Sequence, residues 1–300
     1  REKLVAGVAV VLVAALIGVT PFQPAKKSDL RIASMDFSEN EILAYMLSEA
    51  IETKTGLSVD TVLDLGGSSV CVTAINSGEI DGYIEYTGTI YVSILDQPAI
   101  SDVEKVYEES KAGMMELYGL EVLNSLNVNN TYTLSTTKEI AEKYGLKTIS
   151  DLKKWNGQLR ATTTLTFLNR EDGLPGVKSL YGLEFAEETG VDGAPRYTAL
   201  MGGEGDLIDA YSTDGLLKKF DLVVLEDDKG AFPPYYAVPV FRSEVMEQYP
   251  EIADVSQALG EVLTTDRMAE LNYLVDEEDQ DPRDVAHNFL VEYAPELAAQ

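Results

Sequence analysis

The apolar positions near the start of the chain follow two rhythms in turn. Residues 29–35 read as a strand, and Ile42, Leu43, Met46, Leu47, Ala50 and Ile51 then recur at helical spacing to about Lys54. Ser38 with Glu41 three residues on predicts a capping box at the start of this helix, and Gly56 its end. Residues 57–65 predict a second strand. Gly66-Gly67-Ser68-Ser69 turns into a helix ending near Gly78, and a third strand carries Asp81 to Tyr86. This β-α-β-α-β order implies a parallel sheet with right-handed crossovers. The third strand runs into Tyr86-Thr87-Gly88-Thr89, which sets a ring and two hydroxyls at a strand-to-helix junction, where open α/β sheets bind ligands. Gly88 lets the backbone turn tightly or pack closely there.

Further along, a helix is expected over 102–118, strands over 120–126 and 133–135, short helices over 138–144 and 149–154, a strand over 158–163 and a helix over 175–181. Residues 194–199 read as a strand. Residues 207–215 repeat the earlier logic: an apolar-acidic segment, then Tyr211, Ser212, Thr213 and Gly215. A strand over 222–225, a stiff crossover from Phe232 to Tyr236, a strand over 237–241 and helices over 243–300 complete the pattern. Asp276 to Asp281 reads as a solvated acidic loop, without the glycine and spacing of an EF-hand.

Leu4 to Val19 is an unbroken apolar run flanked by Arg1 and Lys3 before and Lys26-Lys27 after. Extended through Phe22 it reaches the ~17–25 residues that span a bilayer. No small-x-small cleavage site and no lipidation box follow it, which favours an uncleaved transmembrane anchor over residues 1–27, with a secretory signal segment as the rival reading. The chain starts at Arg1 and not Met, which suggests a piece of a longer polypeptide. Residues from about Ser28 onward are then expected outside the cytoplasm.

Three hundred residues suit two ordinary domains. The 51 Asp+Glu against 23 Lys+Arg give a net charge of −28, which repels nucleic acid and anionic headgroups and excludes DNA or RNA as a partner. Cys71 and His287 are the single cysteine and histidine, so no internal disulfide and no Cys/His zinc site can be built. Cys71 reads as a small buried hydrophobe and His287 as a surface or capping residue. No nucleophile elbow, phosphate-binding loop or dinucleotide fingerprint occurs. A carboxylate pair for hydrolysis stays open, because 51 acids offer many chance pairs.

Several stretches, in order, resemble osmoprotectant (glycine betaine/carnitine/choline) ABC-transporter substrate-binding proteins. They are Ile32-Ala33-Ser34 with Phe37-Ser38-Glu39, Leu65 to Cys71, Gly78 to Thr89, Asn129 to Tyr132, Arg170 to Gly176, Ala210 to Gly215 and Phe232 to Tyr235. The similarity covers about residues 29–293. It implies an α/β, two-lobed periplasmic-binding-protein fold of type II with the ligand cleft between the lobes. One lobe is expected from 28–130 plus 236–300 and the other from 131–235. It further implies an ABC permease with its ATPase as partner, in some relatives fused to the receptor, no cofactor, and binding without catalysis.

By the same resemblance, Tyr86, Tyr132, Tyr211 and Tyr235 form an aromatic cage. The chemistry agrees: a quaternary ammonium cannot donate a hydrogen bond and is held by ring faces, each contact worth about 0.5–2 kcal/mol. Thr89 matches a position facing the ligand's other end, where a neutral residue permits a zwitterion and an Asp would favour plain choline. Met35 stands where many relatives carry a polar residue, and Ile84 where they often carry Pro. The Gly66–Ser69 turn at a helix N-terminus then offers backbone N–H groups to a carboxylate. The alternatives are a receptor of the same fold for another small ligand and an extracellular hydrolase.

Overall fold

The computed structural model describes residues 28–191 and 193–299. The expected anchor over 1–27 lies outside them. Among the described residues no helix is long and apolar enough to cross a membrane.

The first sheet follows the sequence order β1 (Leu30–Ala33), β2 (Val59–Val62) and β3 (Gly82–Tyr86), with β1 parallel to both neighbours. Two later strands, β4 (Leu120–Val122) and β10 (Ala237–Arg242), complete a five-stranded sheet of order β2-β1-β3-β10-β4, in which β10 runs antiparallel to β3 and β4. Helix α1 (Ser38–Thr55) buries Ile42, Leu43, Ala44, Met46, Leu47, Ala50 and Ile51. It is apolar on so much of its surface because it packs on the sheet while C-terminal helices pack on it. Those are α10 (Ile252–Val262), α11 (Thr265–Asp276) and α12 (Pro282–Tyr293). Helices α2 (Ser68–Asn76) and α3 (Val103–Tyr118) and the short helix Ser243–Gln248 also belong to this lobe. Its core holds Cys71 fully buried, and burial pushes that thiol up to about 12.

The second lobe has a separate core around Leu134, Phe167, Leu174 and Leu207. Its sheet is β8 (Ile208–Tyr211), β5 (Tyr132–Thr136) and β9 (Val223–Leu225), with β5 central, antiparallel to both neighbours and wholly buried. Strands β6 (Arg160–Thr163) and β7 (Glu187–Gly190) form a parallel pair beside it. The two crossovers between lobes run side by side: Asn129 bridges Tyr236, the Asn130 amide donates to the Tyr235 carbonyl at 2.9 Å, and the Tyr235 amide donates to Asn129 Oδ1 at 2.8 Å. The architecture is a mixed α/β, two-lobed periplasmic-binding-protein fold.

Two local expectations are corrected. Residues 194–199 belong not to a strand but to a helix, Pro195–Met201, which has Pro195 in its first turn, where a missing N–H costs nothing. Arg196, Tyr197 and Leu200 face inward together, and the Arg196 guanidinium is satisfied by the Asp209 and Gly193 carbonyls. The capping box at Ser38 does not form. Phe37 is the N-cap, its carbonyl accepts from the Asn40 and Glu41 amides, and the Ser38 hydroxyl donates to Asp276 instead.

Candidate ligand-binding cleft

Met35, Tyr86, Thr89, Tyr132, Tyr211 and Tyr235 all line one cavity of about 610 Å³ between the lobes. Tyr86 ends β3, Thr89 opens the short π-helix Thr89–Ile94, and Met35 lies just beyond β1, so these three come from the C-terminal edge of the first sheet. Tyr132 and Tyr211 are directly opposite in the β5–β8 register. Their rings therefore stack, with centroids 5.1 Å apart and planes at 28°. Behind Tyr132 sit Phe167 and Phe232, at 5.1 and 6.3 Å. Tyr211, at 41% exposure, stands at the open side.

Tyr235 comes from the second crossover and meets Gly88 at close quarters. A Cβ on Gly88 would lie 2.6 Å from the Pro234 carbonyl oxygen and 2.8 Å from the Tyr235 ring. The backbone dihedral there is ordinary, so the glycine is required by space alone. Gly88→Ala is expected to displace the crossover, destabilising the protein by about 1–3 kcal/mol as overpacking does. Thermal melting and ligand titration check this; unchanged melting would place Tyr235 elsewhere.

The sequence reading missed a buried carboxylate behind the rings. Glu39 is 3% exposed and accepts from the Tyr86 hydroxyl at 2.7 Å, Asn130 Nδ2 at 3.1 Å and Asn272 Nδ2 at 3.0 Å. Asn272 Nδ2 also donates to the Thr213 carbonyl of the other lobe at 2.9 Å. One carboxylate thus fixes a cage ring, a crossover and an α11 residue that reaches across the cleft. Burial and Glu39 together push the Tyr86 phenol well above its ordinary range, so it stays a donor. A fifth ring, Phe37, lies 6.1 Å from Tyr86 and also lines the cavity. Phe37 and Glu39 stand in a stretch that carried the resemblance, but nothing in their spacing announced these contacts.

The charges on the wall are unequal. Among the lining residues Arg170 is the one cation, while Glu39, Glu85, Asp214 and Asp276 are acids. Arg170 Nε donates to Asp172 Oδ1 at 2.7 Å. Burial alone would raise the Asp172 carboxyl, but Arg170 holds it below the ordinary range. Asp172 also accepts from the Tyr235 hydroxyl at 3.4 Å, and burial with this charge pushes the Tyr235 phenol up to about 12. Asp276, read as the start of a solvated loop, ends α11 at the cavity and is raised by its partial burial. Among the described residues no group of three or more His, Cys, Asp or Glu is placed to hold a metal ion.

Residues 28–292 match the family model described as the substrate binding domain of ABC-type glycine betaine transport system. The chain belongs to this family. It is 34% identical over 268 residues to the carnitine transport binding protein OpuCC of Listeria monocytogenes, covering 89% of this chain and 87% of that one. It is 32% identical over 280 residues to the ergothioneine transport permease/ergothioneine binding protein EgtU of Helicobacter pylori, covering 93% of this chain but 50% of that longer protein. A solved structure described as a glycine betaine/carnitine/choline ABC transporter shares the fold at a TM-score of 0.84 and 33% identity, covering 90% of this chain and 100% of that one. Members of this OpuAC family are transport receptors, and this chain is the substrate-binding component of an ABC importer.

Proposed function

We propose that the protein captures quaternary-ammonium compatible solutes such as glycine betaine, carnitine or choline outside the cytoplasm, without chemical change, and delivers them to an ABC permease and its ATPase. The supporting observation is the cavity itself: five aromatic rings backed by four carboxyl side chains, with one arginine. Ring faces hold a cation that has no N–H to donate, and the net negative wall favours it over neutral solutes. Arg170, pre-oriented by Asp172, would take a ligand carboxylate, with the neutral Thr89 permitting it to approach. Lobe 1 would comprise 28–130 plus 236–300 and lobe 2 131–235, closing about the paired crossovers. Residues 1–27 would anchor the receptor or join it to its permease, a fusion of the kind that the name of the Helicobacter relative describes.

Calorimetric titration tests this with glycine betaine, carnitine and choline. All three are expected to saturate and to weaken in Tyr211→Ala. Arg170→Gln is expected to weaken only the two that carry a carboxylate. Absence of heat with all three would refute the ligand class.

A further inference from the structure

The lobes also meet away from the paired crossovers. The short helix Gly215–Lys219 follows β8, and its Leu217 packs with Ile208 and Ala210 of that strand, so it belongs to the second lobe. Helix α11 belongs to the first, with Met268 and Leu271 in that lobe's core. These two helices lie against each other. The contact is tight at its centre: a Cβ on Gly215 would lie 2.7 Å from both Cα and Cβ of Tyr273. Two ion pairs flank it, Lys218 with Glu270 and Lys219 with Glu277. Glu270 and Glu277 stand about two turns apart along α11 and its C-cap, with Tyr273 between them. The pairs therefore hold the short helix on both sides of the close approach.

At the inner end of this contact Asn272 Nδ2 donates to the Thr213 carbonyl at 2.9 Å. Asn272 and Asp276 from α11, and Thr213 and Asp214 from the other lobe, all line the cavity. The contact is thus a wall of the cleft and not a support behind the crossovers. On the second-lobe side this wall is braced. Asp214 accepts from the Leu216 amide at 3.0 Å, the Tyr197 hydroxyl at 2.5 Å and the Arg196 guanidinium at 3.4 Å. Gly215, Lys218, Lys219, Glu270, Tyr273 and Glu277 are not themselves among the lining residues.

We infer that the Gly215–Lys219 helix and α11 form a latch on the closed arrangement of the lobes, so that Gly215 and the two Lys–Glu pairs set affinity as positioning residues that never touch the ligand. This rests on the proposed capture of a small solute between closing lobes. Apparent affinity scales with the population of the binding-competent state. A bond made only between the lobes shifts that population by one factor, whatever the cleft holds. The cage rings and Arg170, by contrast, contribute according to the chemistry of each ligand. All four charged groups of the latch keep contact with solvent, so each pair contributes modestly and is weakened by salt.

Charge exchange tests the latch by calorimetric titration at about 0.15 M salt, where exposed charges more than about 8 Å apart are screened. Lys218→Glu with Lys219→Glu turns both attractions into repulsions. It is expected to weaken glycine betaine, carnitine and choline by one common factor, at least about threefold. The added negative charge would by itself draw cations in, so the overall field cannot cause such a loss. Adding Glu270→Lys and Glu277→Lys restores both pairs and the original net charge, and is expected to bring all three affinities back to within about twofold. Gly215→Ala, whose new methyl would meet Tyr273 of the other lobe, is also expected to weaken all three ligands alike. Unchanged or raised affinity in the reversed protein, a loss confined to one ligand, or a loss that the quadruple variant does not recover would overturn the latch and leave the cage standing. If none of the three solutes binds the unaltered protein, the ligand class fails, and small-angle scattering of the empty protein decides the latch. A reversed protein that expands, with the quadruple variant compact again, supports it; one radius of gyration for all three proteins overturns it.

Discussion

Truncating Tyr132 to alanine is expected to abolish ligand binding and to destabilise the second lobe by about 3–5 kcal/mol, the range for removing a large buried aromatic. Its ring is the meeting point of Tyr211, Phe167 and Phe232 and is 6% exposed. Its strand is the central one of the sheet, so the cavity left behind lies in the core and not at an edge. Tyr211 is the contrasting case. It pairs with the same ring from the opposite strand but stands 41% exposed, so Tyr211→Ala spares the core. Its loss is expected to weaken binding by up to about 30-fold, one good cation–π contact of about 2 kcal/mol, with stability changed by less than about 1 kcal/mol. Denaturant melts read alongside titrations separate the two residues. Equal stability losses in both variants would mean that the stack does not divide into a core ring and a ligand ring.

Between pH 4.5 and 7 the wild-type protein is expected to lose stability relative to Glu85→Gln. Full burial pushes the Glu85 carboxyl from 4.5 up to about 7, against the opposing pull of the Tyr86 amide and the Ser68 and Tyr83 hydroxyls. In this window the folded state holds a proton that the unfolded chain has released, so raising the pH favours unfolding. The contribution is fully present below 4.5 and is lost as the pH rises through 7, a swing of about 3 kcal/mol for a shift of this size. Glu41 titrates in the same window, raised to about 7 by burial and by Asp64. The informative quantity is therefore the difference between wild type and variant, which cancels Glu41. Chemical melts at pH 4.5, 6 and 8 measure it, and parallel profiles would show that Glu85 is not a buried, titrating acid. A bound cation stabilises the carboxylate, so binding near pH 7 is also expected to release protons, read as a buffer-dependent heat.

Much of the secondary structure was legible because its signals are local. The α1 stripe, the Pro-led helix that ends at Tyr181 and the three parallel strands rest on period and turn residues alone. Residues 194–199 were not, since a short segment holding a buried Arg196 lacks a clean period in either register. Strand β7 was invisible for a related reason: Glu187, Glu188 and Thr189 are exposed, so no apolar face marks it. At Ser38 the capping pattern was present, but a tertiary partner, Asp276, took the hydroxyl.

The amino-acid order alone determined that Tyr86 and Tyr211 each end an apolar-acidic strand beside hydroxyls, and that an acidic, cysteine-poor chain avoids nucleic acid and zinc. Which groups stand behind those rings was decided only by tertiary structure. Glu39, Asn130 and Asn272 are up to 233 residues apart in sequence and share one carboxylate. Glu85 lies beside Ser68 and Cys71 of α2, which only the packing of that helix against β3 brings to it. Strand and helix periods arise from neighbours along the chain, whereas the field and hydrogen-bond balance inside a cleft depend on groups that meet only when both lobes have folded.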